Sequence, residues 1–185
     1  AADCSVDGAV AKHNMSAVNA SLRCLLGSGT DFDISVKIST DALAAGASIV
    51  GSIVGRYQDA NNHYLFRIRF SPTQVIYASL QKQVAGTITM LGTETAVSGL
   101  THSVGTWYRL RARAVGSVLD VKIWQDGADE PTTWNVTVND TTFATSGSAG
   151  VRSLLSTGIT TPIPVGIMYD DYNCIFDNGS TDCSV

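Results

Sequence analysis

The chain has 185 residues, 44% of them hydrophobic and 15% charged, with a formal net charge of −4. This composition excludes a disordered tail. The acidic balance argues against a general nucleic-acid binder, because phosphate contacts need an excess of basic residues. Glu occurs twice and Lys four times, so straight-chain helix formers are scarce. No uncharged stretch supplies the roughly 20 apolar residues of a membrane helix. We therefore expect neither nucleic acid nor membrane insertion.

Short alternating segments begin at residue 31. DFDISVKIS places Phe32, Ile34, Val36 and Ile38 on one face, which is the period of a half-buried strand. SIVGSIVGRY is more apolar, and we expect it to be buried on both faces. Residues 59–62 (DANN) are typical of a hairpin turn into the next strand, HYLFRIRF.

The second half of the chain continues this pattern. TQVIYASLQK and TITMLG come first, and TWYRLRARAV and VLDVKIWQD then form a hairpin around Gly116. TWNVTV and residues 147–155 and 164–176 close the set, giving about ten strands with frequent turn signals. We predict an all-β, two-sheet antiparallel sandwich. Its buried side chains should include Ile34, Val36, Phe66, Ile68, Leu110, Leu119, Val121 and Ile123.

A single domain is expected over residues 1–185. We predict an irregular N-terminal segment over 1–30, a sandwich core over 31–176 and a C-terminal tail over 177–185. The first residues, AADCSVDG, lack an initiator Met, a basic region and an apolar region. Either a leader has been removed or the chain is a fragment.

Four cysteines lie near the two ends of the chain: Cys4, Cys24, Cys174 and Cys183. The cysteines form no C-x-x-C pair and have no His nearby in the sequence, which argues against a zinc site. Two disulfides in an oxidising setting are therefore the preferred interpretation. Three connectivities are possible, and we favour Cys4–Cys24 with Cys174–Cys183. The alternative is four free thiols in a cytosolic protein.

Several runs of the chain resemble a known family. GRYQDANNHYLFRIRF, GTWYRLRARAVGSVLDVKIWQDGADEPTTWNVTV, SGSAGVRSLLS and MYDDYNC together are similar to the laminin-G-like, concanavalin A-like jelly roll. The closer resemblance is to modules of actinobacterial phage tail and virion proteins and of secreted bacterial proteins, and it covers roughly residues 25–174. It implies the jelly-roll fold, which hosts lectins, glycosidases and structural modules.

The hairpin tip around residues 59–62 is one candidate binding site. Tyr57, Asp59, Asn61, Asn62 and His63 are candidate ligands of a sugar at the rim of the sandwich. We expect no cofactor. The alternative is a calcium ion held by Asp59 with Asn61 or Asn62, but one carboxylate is few for a hard cation.

Basic residues on two strands form a second candidate surface. Arg109, Arg111 and Arg113 share one face of their strand, and Lys122 lies on the same face of the next strand. Such a face can contact an acidic neighbour or an acidic sugar. The alternative is a ladder of internal ion pairs that protects the sheet from aggregation.

No catalytic set is apparent. No strand alternates carboxylates in the way that glycosidases of this fold require, and no G-x-S-x-G motif occurs. We therefore expect a non-enzymatic phage virion or surface module (tail, fibre or capsid decoration) located on a virion or outside the cell. It would assemble with itself or with other virion proteins and would bind host-surface glycan. The alternative is a carbohydrate-binding module of a secreted bacterial protein, followed by a glycoside hydrolase.

Overall fold

A computed structural model describes residues 5–7 and 10–177. Within those ranges all regular elements are strands, and there is no helix long and apolar enough to cross a membrane. The strands are, in chain order, β1 (Ser5–Asp7), β2 (Val10–Met15), β3 (Ser21–Gly29), β4 (Phe32–Thr40), β5 (Ile49–Asp59), β6 (Asn62–Phe70), β7 (Val75–Val84), β8 (Thr87–Thr101), β9 (Tyr108–Val115), β10 (Val118–Gln125), β11 (Val136–Asn139), β12 (Gly147–Leu155) and β13 (Val165–Phe176).

The strands form two sheets. One has seven strands in the order β1-β2-β13-β4-β9-β10-β11, and the other has six in the order β3-β12-β5-β6-β7-β8. Every pairing that the structure describes is antiparallel. The predicted two-sheet antiparallel sandwich is therefore confirmed.

The core lies between the two sheets. All eight side chains predicted to be buried are at most 1% exposed. Phe32 of β4 meets Phe66 of β6 edge to face, with ring centroids 5.5 Å apart. Gly55 of β5 allows this approach, because a Cβ there would lie 2.3 Å from Phe32 Cζ. The apolar faces identified from the period-two pattern thus pack against each other.

The N-terminal residues correct one prediction. Residues 1–30 were expected to be irregular, but β2 and β3 lie there and extend both sheets beyond the predicted boundary at residue 31. Polar side chains hide the pattern: His13 of β2 is fully buried, and its Nδ1 lies 2.9 Å from Ser153 Oγ. Residues 178–185 of the predicted tail lie outside the described residues.

The two sheets differ in how their outer faces are exposed. On β9 the burial alternates strictly, as expected for a strand with one face in water. Strands β5 and β6 are instead buried on both faces over most of their length. This confirms the expectation for SIVGSIVGRY and extends it to β6. Side chains on the outer face of the six-stranded sheet, including Ser52, Val54, Leu65 and Arg67, are thus shielded from water.

Candidate functional site

Polar groups at the hairpin tip between β5 and β6 form hydrogen bonds with one another. Asp59 Oδ1 accepts a hydrogen bond from the backbone N–H of Asn61 at 2.7 Å, and both carboxylate oxygens accept from Asn62 Nδ2. These bonds, that from Asn62 first, lower the pKa of Asp59. Asn62 Oδ1 accepts from the backbone N–H of Ala85. The Asp59 carboxylate and the Asn62 side chain are therefore engaged in shaping the turn, whereas Asn61 contributes its backbone N–H and is exposed.

No group of three or more His, Cys, Asp or Glu side chains in the described ranges is placed to hold a metal ion. The calcium alternative thus rests on Asp59 and its two Asn neighbours alone.

The arginines of β9 face outward from the seven-stranded sheet and are neutralised by nearby carboxylates. The pairs are Arg109 with Asp126 and Asp171, Arg111 with Asp33 and Glu130, and Arg113 with Asp120. The hydrogen bonds that Arg111 donates to Asp33, and then the one to Glu130, raise the pKa of Arg111. This arrangement matches the internal ion-pair ladder given above as the alternative to a docking surface.

Lys122 corrects the expectation of a solvent-facing lysine. It is 6% exposed, because the segment after β10 folds back over it. Its ammonium group donates to the carbonyl of Pro131 at 2.8 Å, pairs with Glu130 at 2.6 Å and lies 4.5 Å from the Trp134 ring centroid. Lys122 therefore fastens a loop and does not face a neighbouring molecule.

A line of polar side chains crosses the outer face of the six-stranded sheet. The strand register places Arg23 opposite Arg152, Arg152 opposite Ser52, Ser52 opposite Arg67, and Arg67 opposite Ser79. We call these five residues the arginine row. They come from five adjacent strands, so the row spans roughly 20 Å at the usual spacing of about 5 Å between strands.

Two arginines of the row are buried without side-chain hydrogen-bond partners among the described residues, whereas Arg23 is half-buried and donates to Tyr57 Oη and Ser21 Oγ, each at 3.4 Å. Arg67 is 8% exposed and Arg152 7%, and no ion pair or side-chain hydrogen bond joins either guanidinium to another residue of the described part. Eight buried side-chain polar atoms in that part lack a hydrogen-bond partner. Five belong to this face: Arg23 Nε, Ser52 Oγ, His63 Nε2, Ser79 Oγ and Arg152 Nε. Native proteins seldom leave such atoms unpaired, because each costs about 1–3 kcal/mol.

Burial lowers the pKa of two arginines of the row. Desolvation lowers the pKa of Arg67 to about 10, and the neighbouring charge of Arg69 adds to this, although Glu94 opposes it. Desolvation also lowers the pKa of Arg152 to about 10, with further contributions from Arg23 and Arg67. The positive charges are thus held close together in a poorly solvated place.

Tyr57 and His63 adjoin the row. Their ring centroids are 5.4 Å apart, and the Arg23 guanidinium lies 5.3 Å from the Tyr57 centroid. His63 is fully buried, and desolvation lowers its pKa to about 4. Its Nδ1 lies 3.2 Å from the carbonyl oxygen of Asp59, which can only accept a hydrogen bond. The proton therefore sits on Nδ1, and the unpartnered Nε2 is an acceptor.

Glu94 is the one carboxylate that approaches this face from β8. It forms a two-pronged ion pair with Arg69, whose Nε donates to Oε1 at 2.9 Å. Arg69 also lies over the Tyr77 ring at 4.1 Å. Arg69 and Glu94 are consequently satisfied by each other, and the row itself keeps its positive charge.

The structure brings two of the five predicted rim residues, Tyr57 and His63, to this face. The alternation of HYLFRIRF places Arg67 and Arg69 on one face, but it gives no sign that this outer face is buried. Arg23 and Arg152 lie on β3 and β12, which are far apart in sequence. Only the strand order places them beside Arg67.

Two of the four cysteines lie within the described residues. Cys24 and Cys174 are buried, and neither is a free thiol. Cys4 and Cys183 lie outside the described residues, so the pairings Cys4–Cys24 and Cys174–Cys183 stay predictions.

Comparison with known proteins supports the fold. No protein-family model matches the chain, and no curated protein matches it in sequence. Among solved structures, a legume lectin-like domain from Entamoeba histolytica aligns with a TM-score of 0.61 at 11% identity, covering 94% of this chain and 86% of that one. The carbohydrate-binding module CBM66 from Bacillus subtilis aligns with a TM-score of 0.56 at 15% identity, covering 91% and 83%.

An alginate lyase from Klebsiella pneumoniae is a third neighbour, with a TM-score of 0.55 at 14% identity over 89% of this chain and 80% of that one. At these identities the likeness shows the fold alone: the chain is a concanavalin A-like jelly roll, as the resemblance implied. The narrower similarity to phage modules is not shown by these neighbours.

Proposed function

We propose that the chain is a non-enzymatic carbohydrate-binding module whose binding surface is the arginine row together with His63. The observation that carries this proposal is the concentration of buried, unpartnered polar atoms on one sheet face. Such atoms reduce stability unless a ligand supplies the missing hydrogen bonds. Hydrogen-bonding donors and acceptors held rigidly by strands are suited to the hydroxyl groups of sugars.

The carboxylates support the non-enzymatic part of the proposal. Glycosidases generally place two carboxyl groups on either side of the scissile bond. The six strands of this sheet contribute only Asp59 and Glu94, and each is engaged, one in the hairpin turn and the other with Arg69. The face thus offers positive charge and neutral polar groups rather than a pair of carboxyl groups.

The virion reading, our first expectation from the sequence, finds less support. Its predicted contact residues Arg109, Arg111 and Arg113 are paired within the chain. A neighbouring protein would have to break those pairs. We propose an extracellular location, in keeping with the predicted disulfides.

The proposal is tested by affinity electrophoresis of the full chain through gels containing neutral or acidic polysaccharides. We expect retardation by at least one polysaccharide, loss of retardation in Arg67→Met, and unchanged retardation in Arg111→Ala. Assays for reducing ends and for unsaturated ends should detect no product. Retardation by none of the polysaccharides, or its loss in Arg111→Ala only, would contradict the assignment of this face. Product release by the chain would contradict the non-enzymatic part.

A further inference from the structure

We infer that the ligand of this face is an anionic glycan, with a carboxylate or sulfate group seated between Arg67 and Arg152 and a hydroxyl donating to His63 Nε2. This inference rests on the proposed function and specifies the class of sugar. It follows from the charge of the row, from the spacing of the arginines and from the acceptor on His63.

The spacing of the arginines suits a small anion. Arg67 and Arg152 lie two strands apart, or roughly 10 Å between backbones, with Ser52 between them. The small Ser52 side chain leaves room above it for the two long side chains to converge, and its unpartnered Oγ offers one more hydrogen bond. An anion there would neutralise two buried cations that now repel each other. Guanidinium groups bind carboxylate and sulfate oxygens through paired hydrogen bonds.

The face also lacks a competing internal anion. Glu94 is held by Arg69, and Asp59 is turned into its own hairpin. No other Asp or Glu lies on the six strands of this sheet. The row therefore carries an uncompensated positive charge on a chain whose net charge is −4. Neutral glycans would leave that charge buried and unpaired, which is unfavourable.

The acceptor on His63 distinguishes a sugar acid from a bare anion. Nε2 is buried and without a donor, and the Nδ1 bond to the Asp59 carbonyl fixes its tautomer. A sulfate ion would satisfy the arginines but brings no hydroxyl donor, and the P–OH of hydrogen phosphate lies on the same atom as its anionic oxygens. A uronic acid or sulfated sugar brings both groups on one rigid ring.

The test is calorimetric titration of the full chain with four soluble probes: polygalacturonate oligosaccharides, dextran sulfate, unmodified dextran and inorganic phosphate. We expect binding of polygalacturonate, dextran sulfate or both, with affinity falling as salt rises because the contacts are ionic. Dextran and phosphate should bind at least tenfold more weakly. Arg67→Met and Arg152→Met should each weaken binding at least tenfold, and His63→Phe severalfold. Arg111→Ala is the matched control on the opposite sheet and should bind like the wild type.

The outcomes separate this inference from the proposed function. Binding of dextran in preference to both acidic polymers, with sensitivity to Arg67→Met, would overturn the anionic class and leave carbohydrate binding standing. Equal affinity for phosphate, or tighter binding of a single-stranded oligonucleotide added as a fifth probe, would overturn both. If neither acidic polymer binds, the inference is wrong.

Discussion

Replacement of Arg67 by Met is expected to stabilise the protein while it abolishes ligand binding. Arg67 is charged, 8% exposed and without an ion-pair or hydrogen-bond partner among the described residues. Met has a similar reach and retains most of the apolar contacts of the side chain, but it has no charge to desolvate. A buried residue that improves stability when it is removed is typical of a functional site.

The magnitude follows from the pKa of Arg67. Burial lowers this pKa from 12.5 to about 10, so the charged form is less stable in the folded chain than in the unfolded chain. Each pKa unit corresponds to about 1.4 kcal/mol, which gives roughly 3 kcal/mol at neutral pH. Some packing is lost in the variant, so we expect a net gain of about 1–3 kcal/mol in the free energy of unfolding. For a chain of this size, that is about 2–12 °C in Tm.

The assay is urea unfolding followed by circular dichroism, with Arg56→Met as the control. Arg56 is also buried, but it donates to the carbonyls of Thr30, Phe143 and Gly116 and pairs with Asp31. Its replacement should cost about 3 kcal/mol or more. If Arg67→Met were destabilising like Arg56→Met, the row would be structural and the reasoning would be refuted.

Three further predictions concern pH, packing and metal. Burial lowers the pKa of both His63 and His102 to about 4. The free energy of unfolding should therefore fall as the pH drops from about 6.5 to 4, by at most about 3 kcal/mol for each histidine. A urea midpoint that fell with pH as steeply in the His63→Phe variant as in the wild type would contradict this. Gly55→Ala should lower the free energy of unfolding by about 2 kcal/mol or more, because the added Cβ would overlap Phe32. Gly51→Ala, whose added Cβ would have its nearest contact at 3.2 Å, should lower it less. Equal urea midpoints for the two variants would argue against this packing. A chelator should leave Tm and polysaccharide retardation unchanged, whereas a fall in either that Asp59→Ala reproduces would support a calcium ion at the hairpin tip.

The fold was predictable because its signal is local. Alternation in β4, β9 and β10 identifies their inward faces from neighbouring residues, and Gly116 marks the hairpin between β9 and β10. Strand β2 escaped prediction because its inward positions include His13, whose contacts Ser153 and Tyr169 lie far along the chain. A buried polar residue in a strand looks like a loop residue until its partner is known.

The candidate site was less predictable because it is assembled across strands. The sequence drew attention to the arginines of β9, which are consecutive on one strand, yet the structure pairs each of them with a carboxylate. The arginines of the row come one from each of three strands, so no short motif contains them. Burial of an outer sheet face also depends on the whole sheet and leaves no period in the sequence.

The most direct test of the account observes the arginine side chains themselves. The eight arginines of the chain each give an Nε–Hε signal in nitrogen–proton correlation spectra, assigned by single substitutions and followed during titration with polygalacturonate oligosaccharides. We expect the signals of Arg23, Arg67 and Arg152 to shift together and saturate at one ligand concentration, while those of Arg109, Arg111 and Arg113 stay in place. Shifts confined to the β9 arginines, or no shift in the row at saturating ligand, would contradict this expectation.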